Sequence, residues 1–178
     1  MRIQIDTREK PKATVLIENE FRKRGVNFIR SKLPFGDYAS PDNPDIIIDR
    51  KQNLLELCNN LSDVPKKDTN GKIKKGADGQ PLTDKKRFIH ELSGAREFGQ
   101  HLIILCEHGE GIRSLEDVKN WENPRLQESP LAMSGSRLFV ILSRMMLTYD
   151  FEIEFCDKYQ TGKRIIELLE ARNGSSLL

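Results

Sequence analysis

Three cysteines, three histidines and one tryptophan in 178 residues leave little material for several common kinds of site. Cys58, Cys106 and Cys156 are odd in number and far apart, which argues against a disulfide framework and for a reducing compartment. Cys106 and His108 are close in sequence, but no second ligand pair accompanies them. Buried thiols are therefore expected rather than a zinc site. Long apolar runs are also missing. Nothing approaches the roughly 18 consecutive apolar residues of a membrane span, and no signal peptide is recognisable, so a cytoplasmic protein without membrane contact is expected. Excess charge of one sign is lacking too: the net charge is only +2, so the chain is not a general polycation. No internal repeat is visible.

What is present fits one domain over residues 1–178, long enough for a full core, with 37% hydrophobic and 31% charged residues. The basic charge is concentrated. Between Val64 and Arg87, eight basic residues (Lys66, Lys67, Lys72, Lys74, Lys75, Lys85, Lys86, Arg87) face three acids (Asp68, Asp78, Asp84), so this segment carries +5 and the remainder −3. The segment also holds the turn signals Asn70-Gly71 and Asp78-Gly79 and few apolar residues. It reads as a mobile loop or loose hairpin over about 62–84. A solvated linker would look the same; its place after the most distinctive strand favours an electrostatic grip on a nucleic-acid backbone. A frayed tail is expected from about residue 173.

Along the chain, strands and helices alternate. A first strand over residues 1–6 precedes a helix from about Pro11 to Gly25, with proline in its first turn and Val15, Leu16 and Phe21 expected toward the core. Val26 to Leu33 reads as the next strand, and Gln52 to Leu61 as a short helix with Leu54, Leu57 and Leu61 on one stripe. Thr83 is placed to cap a helix reaching Phe98, with Phe88, Leu92 and Ala95 inward and Arg87 and Glu91 as an i,i+4 pair. Leu102 to Cys106 is apolar throughout, as in a central strand covered on both faces. Ser114 is expected to cap a helix ending near Trp121, and Pro124 to Pro130 to form a polar connector. The helix opened by Ser134-Gly135-Ser136-Arg137 carries the cleanest stripe, Leu138, Ile141, Leu142, Met145, Met146 and Tyr149. Phe151 to Phe155 alternates as a strand, and Thr161 is expected to cap a last helix. Interleaving of this kind implies an α/β sandwich with a mixed central sheet and helices on both faces.

The most informative stretch is Gly36 to Lys51: Gly-Asp-Tyr, a turn bracketed by Pro41 and Pro44, then Ile46-Ile47-Ile48-Asp49-Arg50-Lys51. Alternation on a strand sends Asp49 and Lys51 to one face and Arg50 to the other. If two strands pair around the turn, the residue opposite Asp49 is Gly36 or Asp37, depending on a bulge. Two carboxylates and an ammonium would then share one sheet edge, and a divalent cation is the usual remedy for the repulsion. Asp37 and Asp49 would hold magnesium or manganese, which polarises a phosphate and activates water, while Lys51 sits beside the developing negative charge. Alone, Asp…Asp-x-Lys is a short pattern that a charged surface hairpin also satisfies.

The ordered succession of motifs is more specific. Asp6-Thr7-Arg8-Glu9 after a strand, Gly36-Asp37, Asp49-Arg50-Lys51, Arg87-Phe88 with Glu91, and Phe155-Cys156-Asp157-Lys158 before Thr161 together resemble the nuclease domain of XPF/Hef-type structure-specific endonucleases, a branch of the PD-(D/E)xK superfamily. The resemblance covers nearly the whole chain. It implies a restriction-endonuclease-like fold and divalent-metal-dependent cleavage of branched, flapped or junction DNA in repair or recombination, with no small-molecule cofactor. It also implies that the Arg50 carbonyl adds a metal ligand, that Asp6 reaches the metal through a water, and that Arg8 holds a phosphate or braces Asp37. DNA contacts are expected from Arg50, Lys72, Lys74, Lys75, Arg87 and Arg137. In the wider superfamily a first-helix carboxylate sometimes joins the site, which makes Glu20 a candidate, although solvated surface explains it more simply. Asp49 stands where the family has Glu, and the family's last acid falls on Leu55, beside Glu56. A stand-alone nuclease domain of the compact bacterial or phage kind, without the helix–hairpin–helix module usual in the family, is expected. Members commonly pair through this domain, and the Leu138–Tyr149 stripe could serve a homodimer, though core packing accounts for it more simply.

Two other readings stay open. A catalytically silent DNA-binding scaffold of the same fold would bind without cutting, and a protein-interaction domain with coincidental acids would do neither.

Overall fold

The computed structural model describes residues 1–109 and 111–170; the tail expected to fray lies outside them. Six strands form one sheet: β1 (Arg2–Asp6), β2 (Asn27–Ser31), β3 (Tyr38–Ser40), β4 (Asn43–Lys51), β5 (His101–Glu107) and β6 (Glu152–Cys156), in the order β2-β1-β3-β4-β5-β6. The β1/β2, β4/β5 and β5/β6 pairs are parallel, and β1/β3 and β3/β4 antiparallel. The sheet is therefore mixed, with the β3–β4 hairpin at its centre. Among the described residues five α-helices accompany it: α1 (Pro11–Lys23), α2 (Leu54–Asn60), α3 (Asp84–Glu97), α4 (Gly135–Tyr149) and α5 (Thr161–Glu170).

Period-two alternation in β4 divides the core. Ile46 and Ile48 enter a cluster with Ile17 and Phe21 of α1 and Ile165 and Leu169 of α5. Ile47 enters the opposite cluster with Leu54 and Leu57 of α2, Phe88 and Leu92 of α3, and Leu138 and Leu142 of α4. Helices thus cover both faces, and β5, buried from Leu102 onward, is the apolar central strand its composition implies. The α4 stripe is core: Leu138, Leu142 and Met145 are buried, and Ile141, Met146 and Tyr149 pack beside them. Among the described residues no helix is long and apolar enough to cross a membrane.

Several local expectations are corrected. On α1 the buried residues are Thr14, Ile17 and Phe21, while Val15 and Leu16 are exposed; the inward stripe follows the 14–17–21 spacing because Thr14 is held by Pro11, Glu18 and Arg30. Ser114 pairs with Asp117 and opens only a single 3-10 turn, Asp117–Asn120, since Val118 alone there is buried and Pro124 follows closely. Trp121 packs edge-to-face on His108. Thr161 lies inside the start of α5, its buried hydroxyl donating to the Lys158 carbonyl instead of capping. All three cysteines are free thiols, and burial pushes the Cys58 thiol up to about 11.

The basic segment is folded as a small hydrogen-bonded meander. Two turns, each closed by a left-handed glycine (Gly71 and Gly79), join three short extended pieces. Asp68 accepts from the backbones of Asn70 and Lys72, and Asp78 from Gln80. Backbone bonds link Lys66 to Leu82, Lys74 to Lys66 and Leu82 to Lys74 at 2.8–2.9 Å. This small meander leaves α2 and enters α3, whose first turn is capped by the Thr83 hydroxyl.

Candidate functional site

The hairpin sets the geometry. Tyr38 pairs with Ile48, and the ladder continues one step further: Asp37 N donates to Ile48 O at 2.7 Å, and Arg50 N donates to Asp37 Oδ2 at 2.9 Å. Of the two registers open from sequence, the one bringing Asp37 opposite Asp49 is formed. Gly36 is required just before it. Its φ is +63°, and a Cβ there would lie 2.8 Å from the Ile47 side chain and 2.9 Å from the Ile48 carbonyl.

Asp49 and Lys51 project to the α2/α3 face, as alternation predicts, and bound a cleft of about 250 Å³ with Asp37, Arg8, Glu9, Glu56, Arg87, His90 and Glu91. Asp49 and Lys51 are only 3% and 6% exposed. They form an ion pair, and Asp49 Oδ2 is buried without an aligned hydrogen bond. The Lys51 ammonium also lies over the Phe88 ring, 5.8 Å from its centroid. Burial depresses the basicity of this amine, but the neighbouring Asp49 and Asp37 charges more than reverse that and raise its pKa. Asp37 is pushed well above the ordinary carboxylate range, first by burial, then by Asp49 and Glu9. Glu91 is raised by burial and by Asp49. The cleft therefore holds more negative charge than its one buried ammonium balances.

Such a donor set, hard carboxylate oxygens in anionic excess, fits a hard divalent cation. Among the described residues no three His, Cys, Asp or Glu side chains are gathered closely enough to enclose one unaided, so solvent or substrate oxygens would complete the coordination.

Other expected residues are placed differently. Asp6 is fully buried, and its carboxylate accepts from Arg8 N and Nε, both at 2.7 Å, and from Leu33 N at 2.7 Å. It ties β1 to the loop before Gly36 and does not line the cleft. Arg8, at the cleft mouth, also donates to the carbonyls of Leu33 and Gly36, so it braces the loop carrying Asp37. The expected DNA contact from the Arg50 side chain is corrected: its guanidinium is buried on the other face between Glu9 and Glu107, at 2.7 and 3.1 Å. Arg87 lines the cleft and pairs with Asp84, not with Glu91. Glu56 lines it too, with Oε2 accepting from Gln52 N. Lys72, Lys74 and Lys75 are exposed on the meander, outside the cleft lining, as is Arg137 at the start of α4. Glu20 does not line the cleft either; it pairs with Arg24.

Sequence reasoning left Glu9, His90 and Glu91 out of the site. Glu9 was legible as part of Asp-Thr-Arg-Glu, but its partner Arg50 is 41 residues away. Glu91 accepts from Gly36 N at 3.0 Å across 55 residues, a contact no local pattern announces.

The comparisons with known proteins bear on this geometry. A model of the ERCC4 domain matches residues 5–169. The chain belongs to the ERCC4 domain family. The ERCC4 fold is seen again in XPF from Aeropyrum pernix, with a TM-score of 0.60 and 19% identity over 95% of this chain and 63% of that one. XPF from Aeropyrum pernix in complex with DNA gives a TM-score of 0.57 and 18% identity over 94% and 62%. This ERCC4 chain thus spans under two thirds of the XPF chains it matches. No curated protein sequence matches it.

Proposed function

We infer that the chain is a divalent-metal-dependent DNA endonuclease acting on branched, flapped or otherwise irregular duplexes. The observation that carries this reading is the convergence of Asp37, Asp49 and Lys51 in one cleft of an ERCC4 fold. Asp37 and Asp49, with the Arg50 carbonyl between Asp49 and Lys51, would hold Mg2+ or Mn2+. When bound, the cation supplies Lewis-acid polarisation of the scissile phosphate and a more acidic water. The protein's own part is positional. The Arg50 N–H orients Asp37, Lys51 is held at the cleft by Asp49 and Phe88, and its charge is available to a pentacovalent phosphate. Exposed Arg87 on the cleft rim and the Lys72, Lys74 and Lys75 meander supply phosphate contacts. The ion pair of Lys51 with Asp49 is internal to the site and keeps the amine at the cleft.

A homodimer would have to use a face other than the α4 stripe, which packs into the core. The silent-scaffold reading draws on one observation, that among the described residues no three acids are pre-gathered. Incubation of the chain with branched and linear DNA in Mg2+ or Mn2+ separates the two. Cleavage that Asp49→Ala and Lys51→Ala abolish while DNA binding persists supports the enzyme; binding without cutting in either metal supports the scaffold.

A further inference from the structure

Glu91 belongs to α3, yet its carboxylate is fixed to the catalytic hairpin by the Gly36 N–H, one residue from Asp37. Oε1 takes that bond, and no described residue donates to Oε2. Arg87, its nearest basic neighbour by helical spacing, turns to Asp84 instead. Lys51, Asp49 and Arg8 all act electrostatically on Glu91, and it shares their cleft. The position to which the resemblance assigns a last acid is aliphatic, Leu55 on α2. Glu91, on the following helix α3, lines the same opening.

We propose that Glu91 acts on the cation beside Asp37 and Asp49, engaging it through a bound water while bracing Gly36. The proposal rests on the metal-dependent reading above and adds to it a residue from outside the hairpin. A water-mediated role suits the geometry, because the acids of the cleft are not gathered as tightly as a closed three-ligand site. The charge matters in a way the hydrogen bond does not. Neutral glutamine retains an oxygen able to accept from Gly36 N–H, so Glu91→Gln removes the anion and keeps the brace. If Glu91 only braced the loop, that change would leave metal affinity alone.

The test is Mn2+ binding to the whole chain without DNA, by calorimetry or by loss of the free-ion paramagnetic resonance signal, for wild type, Asp49→Asn and Glu91→Gln. Removing a group that acts through the outer shell of a metal costs about 10–100-fold in affinity. The expected result is that Asp49→Asn abolishes binding and Glu91→Gln weakens it about tenfold or more, with a melting temperature in chelator no lower than wild type. Wild-type affinity in Glu91→Gln, with Asp49→Asn still inactive in binding, overturns the role of Glu91 and leaves the metal site standing. No Mn2+ binding by wild type overturns both. Should Glu91→Gln melt early, Glu91→Asp keeps the charge and withdraws from Gly36: retained affinity there supports the proposal, and a loss matching Glu91→Gln assigns the effect to the brace and overturns it.

Discussion

Arg50 gives Asp37 its backbone and withholds its side chain. The Arg50 N–H holds Asp37 Oδ2 at 2.9 Å, while the guanidinium lies on the opposite face of the sheet, forked between Glu9 and Glu107. The same residue thus orients a site carboxylate on one face and anchors β4 to the β1–α1 loop and β5 on the other. A strand so fixed cannot slide without breaking a buried charge network.

That network makes a stability prediction. Arg50 and Glu107 are almost wholly buried, and truncating Arg50 leaves Glu107 buried without its charge partner and Glu9 with only the Tyr38 hydroxyl. Arg50→Ala should lower unfolding free energy by about 3–5 kcal/mol, because a lone buried charge costs far more than the pair contributes. Neutralising all three, in Glu9→Gln/Arg50→Met/Glu107→Gln, should recover much of the loss. Chemical denaturation of the two variants checks both; equal loss in each would contradict the charge-network account.

How much of this was legible beforehand depends on the range of the contacts. The β4 alternation assigns Asp49 and Lys51 to one face and Arg50 to the other from three adjacent letters, and the leucine stripe of α2 and the Phe88–Leu92 stripe of α3 are equally local. The interior position of α4 followed from its spacing alone. What failed depended on partners distant in sequence. Arg50 reads as an exposed phosphate contact until Glu107, 57 residues on, is seen to receive it. Asp6 reads as reaching the metal through a water until Arg8 and Leu33 are seen to hold both its oxygens. Glu91 reads as the helical partner of Arg87 until Gly36 claims it. The Ser114 cap failed for the opposite reason, since a good local cap cannot extend a helix that has only one buried residue to pack.

The raised carboxyl of Asp37 predicts a pH dependence for the metal-free protein. Burial, with Asp49 and Glu9 nearby, makes the folded state bind this proton more tightly than the unfolded chain does. Where the folded state holds more protons, unfolding free energy falls as pH rises. The contribution of Asp37 is fully present below its unfolded value and is lost as pH climbs through its raised folded value. In chelator, the stability of the wild type relative to Asp37→Asn should therefore fall from the acid side toward neutrality. Asp37→Asn should be flatter and, at neutral pH, at least as stable as wild type. Added Mn2+ should raise the wild-type melting temperature and leave that of Asp37→Asn unchanged. Thermal melts across pH with and without metal provide the measurement.

Gly36 ties backbone conformation to the site. With φ at +63° and both Ile47 and the Ile48 carbonyl under 3 Å from any Cβ, Gly36→Ala must move the backbone that carries Asp37. A residue forced into this region costs about 1–3 kcal/mol. The larger effect should be on Mn2+ affinity, since the shift displaces Asp37 from Arg50 N–H and Glu91 from Gly36 N–H together. Gly79→Ala, also left-handed at φ +73° but with nothing within 4 Å of the added Cβ, is the control: it should cost stability by conformation alone and leave metal binding intact.

The meander predicts a division between binding and chemistry. Lys72, Lys74 and Lys75 are exposed and outside the cleft, on a frame held by the Asp68 and Asp78 turns and by backbone bonds. A cation that neutralises one phosphate of duplex DNA contributes about 0.9 to the slope of log affinity against log salt. Changing all three lysines to glutamine should therefore reduce the slope by roughly 2–3 and weaken binding most at low ionic strength. Cleavage at saturating DNA should stay near wild type, because none of the three lines the cleft. Disrupting the frame instead, with Asp68→Ala and Asp78→Ala, removes negative charge from the segment and on charge alone should strengthen binding. If it weakens binding, the lysines must be presented by an ordered meander. If it tightens binding, net charge is sufficient and the frame is incidental. A salt titration of DNA affinity for the lysine and aspartate variants side by side distinguishes presentation from charge.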